Sequence, residues 1–369
     1  MNIGIIGCGN ISAAYLRLGP MFKGVDIIAV ADLNMDNAQA RAKEFGVEAR
    51  SVDALLASDD IEVIINLTIP DAHFDVTCNI LRAGKHAYSE KPLVLTLDQA
   101  KAMQKLCDET GLRVGSAPDT FLGGAHQQAR QIIDAGGIGR VVAGTAHVMS
   151  KGMEHWHPNP DFFFLPGAGP VLDIGPYYVT NLIQLLGPVK RVAALSSSAR
   201  DVRTIGNGPR LGETVPVKTP TNIHALIEFE QGATFTLSAS WDVTAHDHQN
   251  MEIYGADGTL YVPDPNFFGG DLHQSDDNKD MQPVPAWDHP FGVNNDDGRA
   301  NYRCAGLADM VAAIAEGRPH RCDVSLAVHA TDVMTSILKS GETGQFEAMT
   351  TTCEKPAPLG IAEAQALLK

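Results

Sequence analysis

From residue 2 to about 118 the chain repeats one unit: a short apolar run followed by a stretch with helical periodicity. The apolar runs are "NIGIIG", "VDIIAVAD", "IEVIINLT", "KHAYSE" and "LRVGSA". Helix candidates fall between them at 36–45, 72–83 and 96–110, the last opening on Thr96 as an N-cap. Strands and helices in strict alternation predict a parallel, doubly wound α/β sheet.

Beyond residue 120 the rhythm changes to an α+β pattern. A helix is predicted over 122–135, ending at "GGIG", and then long β-type segments follow: "RVVAGTAHVMS", "VKRVAALSSSA", "TNIHALIEFE", "ATFTLSASWDV" and "NMEIYGADGTLYV". Gln231-Gly232 joins two of them as a turn, and a helix is predicted around 171–186. This half predicts a mainly antiparallel open sheet with helices on one side. The tract 264–300 reads as an irregular loop, and the closing helices are placed near 305–316, 323–339 and 361–368. A chain of 369 residues suits two domains, 1–120 and 121–369, with room for the last helices to return to the first. A ligand site is expected where the domains meet.

Composition narrows the partners. A formal net charge of −16 without any basic run disfavours nucleic acid and anionic membranes, leaving small molecules and other protein subunits. The opening "MNIGIIGCGNIS" lacks a basic, then apolar, leader, and no run of about 18 apolar residues occurs, so a cytoplasmic protein is expected. Six scattered cysteines without a C-x-x-C pair read as reduced, buried thiols.

Gly7-Cys8-Gly9-Asn10-Ile11-Ser12 follows a predicted strand and opens a predicted helix. Gly7 permits a tight turn, Gly9 lets backbone approach a pyrophosphate, and the helix N-terminus at Asn10 and Ile11 presents free N–H groups. Ser12 replaces the third glycine of the fingerprint, so a plain βα turn is the competing reading. Asp32, 25 residues after Gly7, ends the second strand where an acid accepts hydrogen bonds from the adenosine ribose. Its charge opposes a 2′-phosphate, and Leu33 and Asn34 supply no arginine. NAD is expected over NADP, with Arg41 and Lys43 the nearest cations able to alter that.

Glu90-Lys91-Pro92 pins a lysine just after a strand, and Asp173 and Tyr177, four apart, share one helix face. Taken alone, Asp173 as a helix cap and Tyr177 as core would explain the pair equally well. Together with the glycine loop, these residues resemble the Gfo/Idh/MocA family of sugar and cyclitol oxidoreductases, over nearly the whole chain. "TIPDAHFDVTCNILRAGKHAYSEKPL" is similar to that family's approach to its lysine motif, with Thr68, Pro70 and His73 in matching places. The resemblance implies a Rossmann domain holding NAD through Gly7, Gly9, Asn10, Ile11, Asp32, Thr68, Pro70, His73, Glu90 and Lys91. It implies a reacting centre of Lys91, Asp173 and Tyr177. Tyr177 stands where many members have His, Thr180 where many have Asp or Asn, and "APDTF" at 117–121 departs from the family segment, which leaves the substrate open.

Oxidising a secondary alcohol moves a hydride to nicotinamide while a base takes the hydroxyl proton. Lysine ordinarily titrates at about 10.4, so acting as base near neutrality needs a large downward shift, which an ionised Asp173 would oppose. Either Tyr177 is the base beside a cationic Lys91, or Lys91 is the base and Asp173 orients the substrate. Pro92 restricts the backbone at Lys91, by a cis bond as one option, and Glu90 holds a neighbouring group or is simply solvated. His155, Trp156, His157 and Asn159 are candidates to wall a sugar site, with Asp119 and His246 as lesser ones. The His-x-His patterns at 155–157 and 246–248 have no completing ligand at a recognised spacing, and no metal is expected. The expected function is NAD-dependent oxidoreduction of a sugar, sugar derivative or cyclitol. Its rivals are an NAD-recycling glycoside-cleaving enzyme and a non-catalytic cofactor-binding regulator. An uncovered sheet face in the second domain predicts a homodimer or homotetramer.

Overall fold

The computed structural model describes residues 1–276, 280–296 and 298–369. Residues 277–279 and 297 of the expected loop tract 264–300 lie outside the described residues. The first half forms a six-stranded sheet in the order β3-β2-β1-β4-β5-β6, every pair parallel. Its strands are β1 (Asn2–Ile6), β2 (Asp26–Ala31), β3 (Glu48–Arg50), β4 (Val63–Asn66), β5 (His86–Ser89) and β6 (Val114–Ser116). All four residues of β4 are buried, as a central strand covered on both faces requires. Helices α1 (Asn10–Leu18), α2 (Met35–Phe45), α3 (Val52–Leu56), α4 (His73–Arg82) and α5 (Leu97–Thr110) supply that cover. Thr96 caps α5 by accepting from the Gln99 amide, and Gly111 ends it in the left-handed region. Strand order reverses between β1 and β4, so a crevice opens at their C-terminal ends, where the Gly7 loop and Thr68 both emerge.

The second half starts with α6 (Gly124–Asp134) and β7 (Val141–Met149), continues through α7 (Gly169–Asp173) and α8 (Gly175–Leu186), and then builds its sheet. The strands are β8 (Val189–Ser197), β9 (Val202–Thr204), β10 (Thr214–Pro216), β11 (Asn222–Phe229), β12 (Thr234–Ser240), β13 (Met251–Gly255), β14 (Thr259–Val262), β15 (His273–Ser275), β16 (Gln282–Pro283) and β17 (Glu347–Ala348). Eight of these join β7 in one nine-stranded sheet, in the order β16-β15-β14-β13-β7-β12-β11-β8-β17, antiparallel except for the β7–β12 pair, while β9 and β10 form a separate ribbon. The segment "NMEIYGADGTLYV" is a hairpin rather than one strand, turning at Asp257-Gly258. Along β11, Ile223, Ala225, Ile227 and Phe229 are buried, while His224 and Leu226 face outward. This period of two marks one covered face and one open face.

Helices α9 (Ala305–Glu316), α10 (Val324–Thr343) and α11 (Ile361–Leu367) close the chain. Helix α10 packs on β8 and α8 and also on α5 of the first half. The Ser116 amide donates to the Cys322 carbonyl at 3.0 Å, and the Lys23 amide to that of Leu367 at 2.8 Å. The helix expected over 171–186 is two helices, broken at Ile174. Pro176 explains the break: it has no N–H to give the preceding turn, and its ring crowds the carbonyl four residues earlier.

Candidate active site

The glycine loop is built by sterics. Gly7 has φ +104°, and a Cβ there would meet the Leu67 carbonyl oxygen at 2.5 Å. Only glycine fits. Gly9 is the opposite case: a Cβ placed on it meets nothing within 4 Å, because the loop faces open space at the start of α1. No side chain caps that helix, so its first amides remain available. Ser12 is buried, and its hydroxyl donates to the Gly9 carbonyl at 2.6 Å, so it ties the turn as well as packing closely. Asp32 accepts from the Cys8 amide at 2.8 Å through Oδ2 and from the Asn34 amide at 2.9 Å through Oδ1. Its carboxylate is half-buried and retains acceptor capacity. Arg41 donates to the Gly9 carbonyl at 3.3 Å and pairs with Glu44 at 2.5 Å, so its charge is already engaged. The uncapped helix start, the open Gly9 edge and the acid at the end of β2 fit the pyrophosphate and ribose diol of NAD.

Lys91 crosses from the first half to the second. Its Nζ donates to the Asp173 carboxylate at 2.9 Å and to the Asp173 backbone carbonyl at 2.7 Å. That carbonyl is free because the helix breaks there: the Tyr177 amide, its usual partner, donates to Ile174 instead. Asp173 therefore sits at the end of α7 and is not a cap. The Lys91 ammonium lies 5.4 Å from the Tyr177 ring centroid. Burial works against the ammonium, but Asp173, Tyr177 and Glu90 outweigh it and hold Lys91 above the ordinary lysine value. Tyr177 is buried, and among the described residues its hydroxyl has no hydrogen-bond partner. The Lys91–Pro92 bond is cis.

Glu90 is a structural anchor. Its Oε1 accepts from the Tyr15 hydroxyl at 3.0 Å and from Arg303 at 2.6 Å, and its Oε2 accepts from the Lys91 amide at 3.0 Å. Burial raises its pKa, but the Arg303 and Lys91 charges overcome this and hold it below the usual carboxylate value. Tyr15 and Arg303 carry no local sequence signal of this role, since they lie 75 and 213 residues from Glu90. Asn66 is a third residue missed: it accepts from the Thr68 hydroxyl at 2.6 Å and donates to Thr77 and to the His73 carbonyl.

Three residues expected to contact a ligand are engaged in hydrogen bonds within the protein. His73 is buried, with its ring nitrogens facing the carbonyls of Pro92 (2.7 Å) and Thr68 (3.1 Å), so it ties the two loops together. Glu90 is buried in the contacts just described. Asp119 is buried too, accepting from the Gly306 amide at 3.0 Å at the start of α9, and burial pushes its carboxyl up to about 6. Thr68 and Pro70 remain half-buried at the crevice. His155, Trp156, His157 and Asn159 lie on the 150–168 loop, where His157 and Trp156 join an aromatic group with Phe163 and Trp241. His246 lies 6.0 Å from the ring of His248, which stacks on His147 at 4.1 Å. No hydrogen bond or ring contact among the described residues links either group to Lys91, Asp173 or Tyr177.

A doubly wound domain with a dinucleotide loop, joined through a lysine to a sheet-bearing domain that supplies an acid and a phenol, defines an NAD-binding oxidoreductase. The description "Oxidoreductase family, NAD-binding Rossmann fold" matches residues 1–117, and "GFO/IDH/MocA C-terminal domain" matches residues 126–261. The chain belongs to the Gfo/Idh/MocA oxidoreductase family. It is 24% identical over 265 residues to 1,5-anhydro-D-fructose reductase of Ensifer adhaerens, covering 70% of this chain and 74% of that protein. It is 29% identical over 141 residues to inositol 2-dehydrogenase of Rhizobium meliloti, covering 38% and 43% of the two chains. Among solved structures, an NAD-binding oxidoreductase from Klebsiella pneumoniae superposes with TM-score 0.81 at 22% identity over 95% of this chain and 99% of that one. Levoglucosan dehydrogenase with NADH and L-sorbose gives 0.80 at 22% over the same shares. At such identity the likeness establishes the fold.

Proposed function

We propose that the chain is a dehydrogenase for a sugar, sugar-derivative or cyclitol hydroxyl, with Lys91, Asp173 and Tyr177 as its reacting centre at the seam of domains 1–120 and 121–369. One observation carries this: a half-buried ammonium is held by both the carboxylate and the carbonyl of Asp173, beside a phenol hydroxyl that no group among the described residues uses. NAD, when bound, supplies the hydride acceptor. Lys91, held cationic, donates to the substrate oxygen and stabilises the charge that develops on it. Asp173 fixes the ammonium and accepts from a neighbouring substrate hydroxyl. Tyr177 takes the proton from the reacting hydroxyl in oxidation and returns it in reduction, and the Lys91 charge stabilises the phenolate form. His73 and Asn66 set the loops that carry Lys91 and Thr68. Sugars and cyclitols are favoured because the relatives named for their substrates act on them, including the anhydrofructose reductase and the inositol dehydrogenase.

The test is NADH formation, followed by absorbance, across aldoses, uronates, inositols and glycosides. Substrate-dependent reduction of added NAD is expected. Hydrolysis of a glycoside without net NADH would contradict the reading.

The open face of the nine-stranded sheet exposes Leu195 and Leu226 to 74% and 54%, which supports pairing of two copies as a homodimer or, through a second contact, a homotetramer. A monomeric mass by light scattering would rule this out. Among the described residues no helix is long and apolar enough to cross a membrane, and all six cysteines are free and buried, which fits a reducing cytoplasm.

A further inference from the structure

A cavity of about 300 Å³ has a polar lining that includes Thr120, Asn266, Asp296, Arg299, Asn301 and Arg303. Arg303 joins it to the chemistry. Its Nη1 donates to Glu90 at 2.6 Å, Glu90 in turn accepts from the Lys91 amide, and Tyr177 lies within electrostatic range of the same guanidinium. The other edge of that guanidinium is unused. Among the described residues Nε and Nη2 have no hydrogen-bond partner, although the side chain is only 19% exposed. The Glu90 contact and the Tyr15 ring beneath it, 5.9 Å away, hold the fork in place. A fixed, half-satisfied guanidinium facing a cavity matches the two oxygens of a carboxylate. Arg299 adds a second cation, over the Phe267 ring at 5.5 Å. Among the described residues of the lining the one acid, Asp296, is taken up by Arg17 at 2.8 Å and by the Asn301 side-chain amide at 2.9 Å.

We infer that the substrate is a sugar acid whose carboxylate is received by the free edge of Arg303, while its reacting hydroxyl meets Lys91 and Tyr177. This rests on the dehydrogenase reading for the chemistry, but it is tested by binding alone. The NADH-loaded protein is titrated calorimetrically with matched pairs: D-glucuronate against D-glucose, D-galacturonate against D-galactose, and D-gluconate against D-glucitol. In at least one pair the acid should bind about 30-fold more tightly, the size of a charge-assisted bidentate contact. Arg303→Met should erase that preference, and Arg303→Lys, which keeps the charge but loses the fork, should retain only part of it. Equal binding within every pair, or no saturable binding of any acid, overturns the inference. So does an Arg303→Met protein that loses NADH affinity yet keeps the acid preference, which would make Arg303 a cofactor residue. If Arg303→Met does not fold, the wild-type pairs decide. A protein that forms no NADH but discriminates acid from neutral sugar would refute the dehydrogenase reading and leave this one standing.

Discussion

Replacing Glu90 with glutamine removes one charge from a largely buried pair and turns one of its two acceptor oxygens into a donor. The carboxylate side chain is 10% exposed, its Arg303 partner 19%, and they meet at 2.6 Å. Breaking such a pair by neutralising one member typically costs 3–5 kcal/mol, because the other charge stays buried without compensation. Glutamine is isosteric and its carbonyl can still accept from Arg303 or Tyr15, so the lower end applies, and about 3 kcal/mol is expected near pH 7. The double variant Glu90→Gln/Arg303→Met should cost less than the sum of the single changes, with a coupling of about 1.5 kcal/mol or more. Urea unfolding of the four proteins measures the cycle. The sign with pH is also determined. Glu90 titrates below its ordinary value in the folded chain, so its contribution is present above the unfolded pKa near 4.5 and is lost as pH falls through the folded one. The stability gap between wild type and Glu90→Gln should therefore be flat at neutral pH and close under acid. Single changes costing under about 1 kcal/mol with no coupling would refute the claim that this pair anchors the lysine loop.

Asp119 has the opposite linkage. Its folded pKa is raised from 3.8 to about 6, so the native state loses stability relative to the unfolded chain as pH rises between those values, by about 1–3 kcal/mol. Asp119→Asn, which can still accept from the Gly306 amide, should stabilise the protein at pH 8 and not at pH 4, as read by thermal unfolding. Gly7→Ala should cost about 2 kcal/mol or more and weaken NADH binding measured by fluorescence, because a Cβ there would stand 2.5 Å from the Leu67 carbonyl at φ +104°. Tyr177→Phe should lower kcat about 100-fold or more while stability stays within about 0.5 kcal/mol, since the lost hydroxyl has no hydrogen-bond partner among the described residues.

The first domain was legible because its signals are local. The buried run of β4, the N-cap at Thr96 and the strand–glycine–helix order around Gly7 each depend on residues within a few positions of one another. The pairing of Lys91 with Asp173 was reached through motif resemblance, and the structure adds the reason the contact is doubled. Pro176 breaks the helix and frees the Asp173 carbonyl. That proline stands in "LDIGPYY", inside the stretch read as one helix around 171–186. Arg303 and Tyr15 were not legible, since what distinguishes them is convergence on Glu90 across hundreds of residues. The burial of Asp119 and His73 was not legible for a related reason: a polar residue beside a site motif supports a loop from within as readily as it contacts a ligand, and sequence alone does not separate the two roles.

The central claim is that Lys91 acts on the reacting hydroxyl and is not needed to hold the cofactor. Lys91→Met, assayed for NADH formation on whichever sugar the wild type oxidises best and for NADH affinity by fluorescence, tests it directly. The account predicts a loss of turnover of about 1,000-fold with affinity changed no more than about twofold, because Gly7, Gly9 and Asp32 are untouched. Turnover near the wild-type rate, or a loss of affinity that matches the loss of rate, would contradict it.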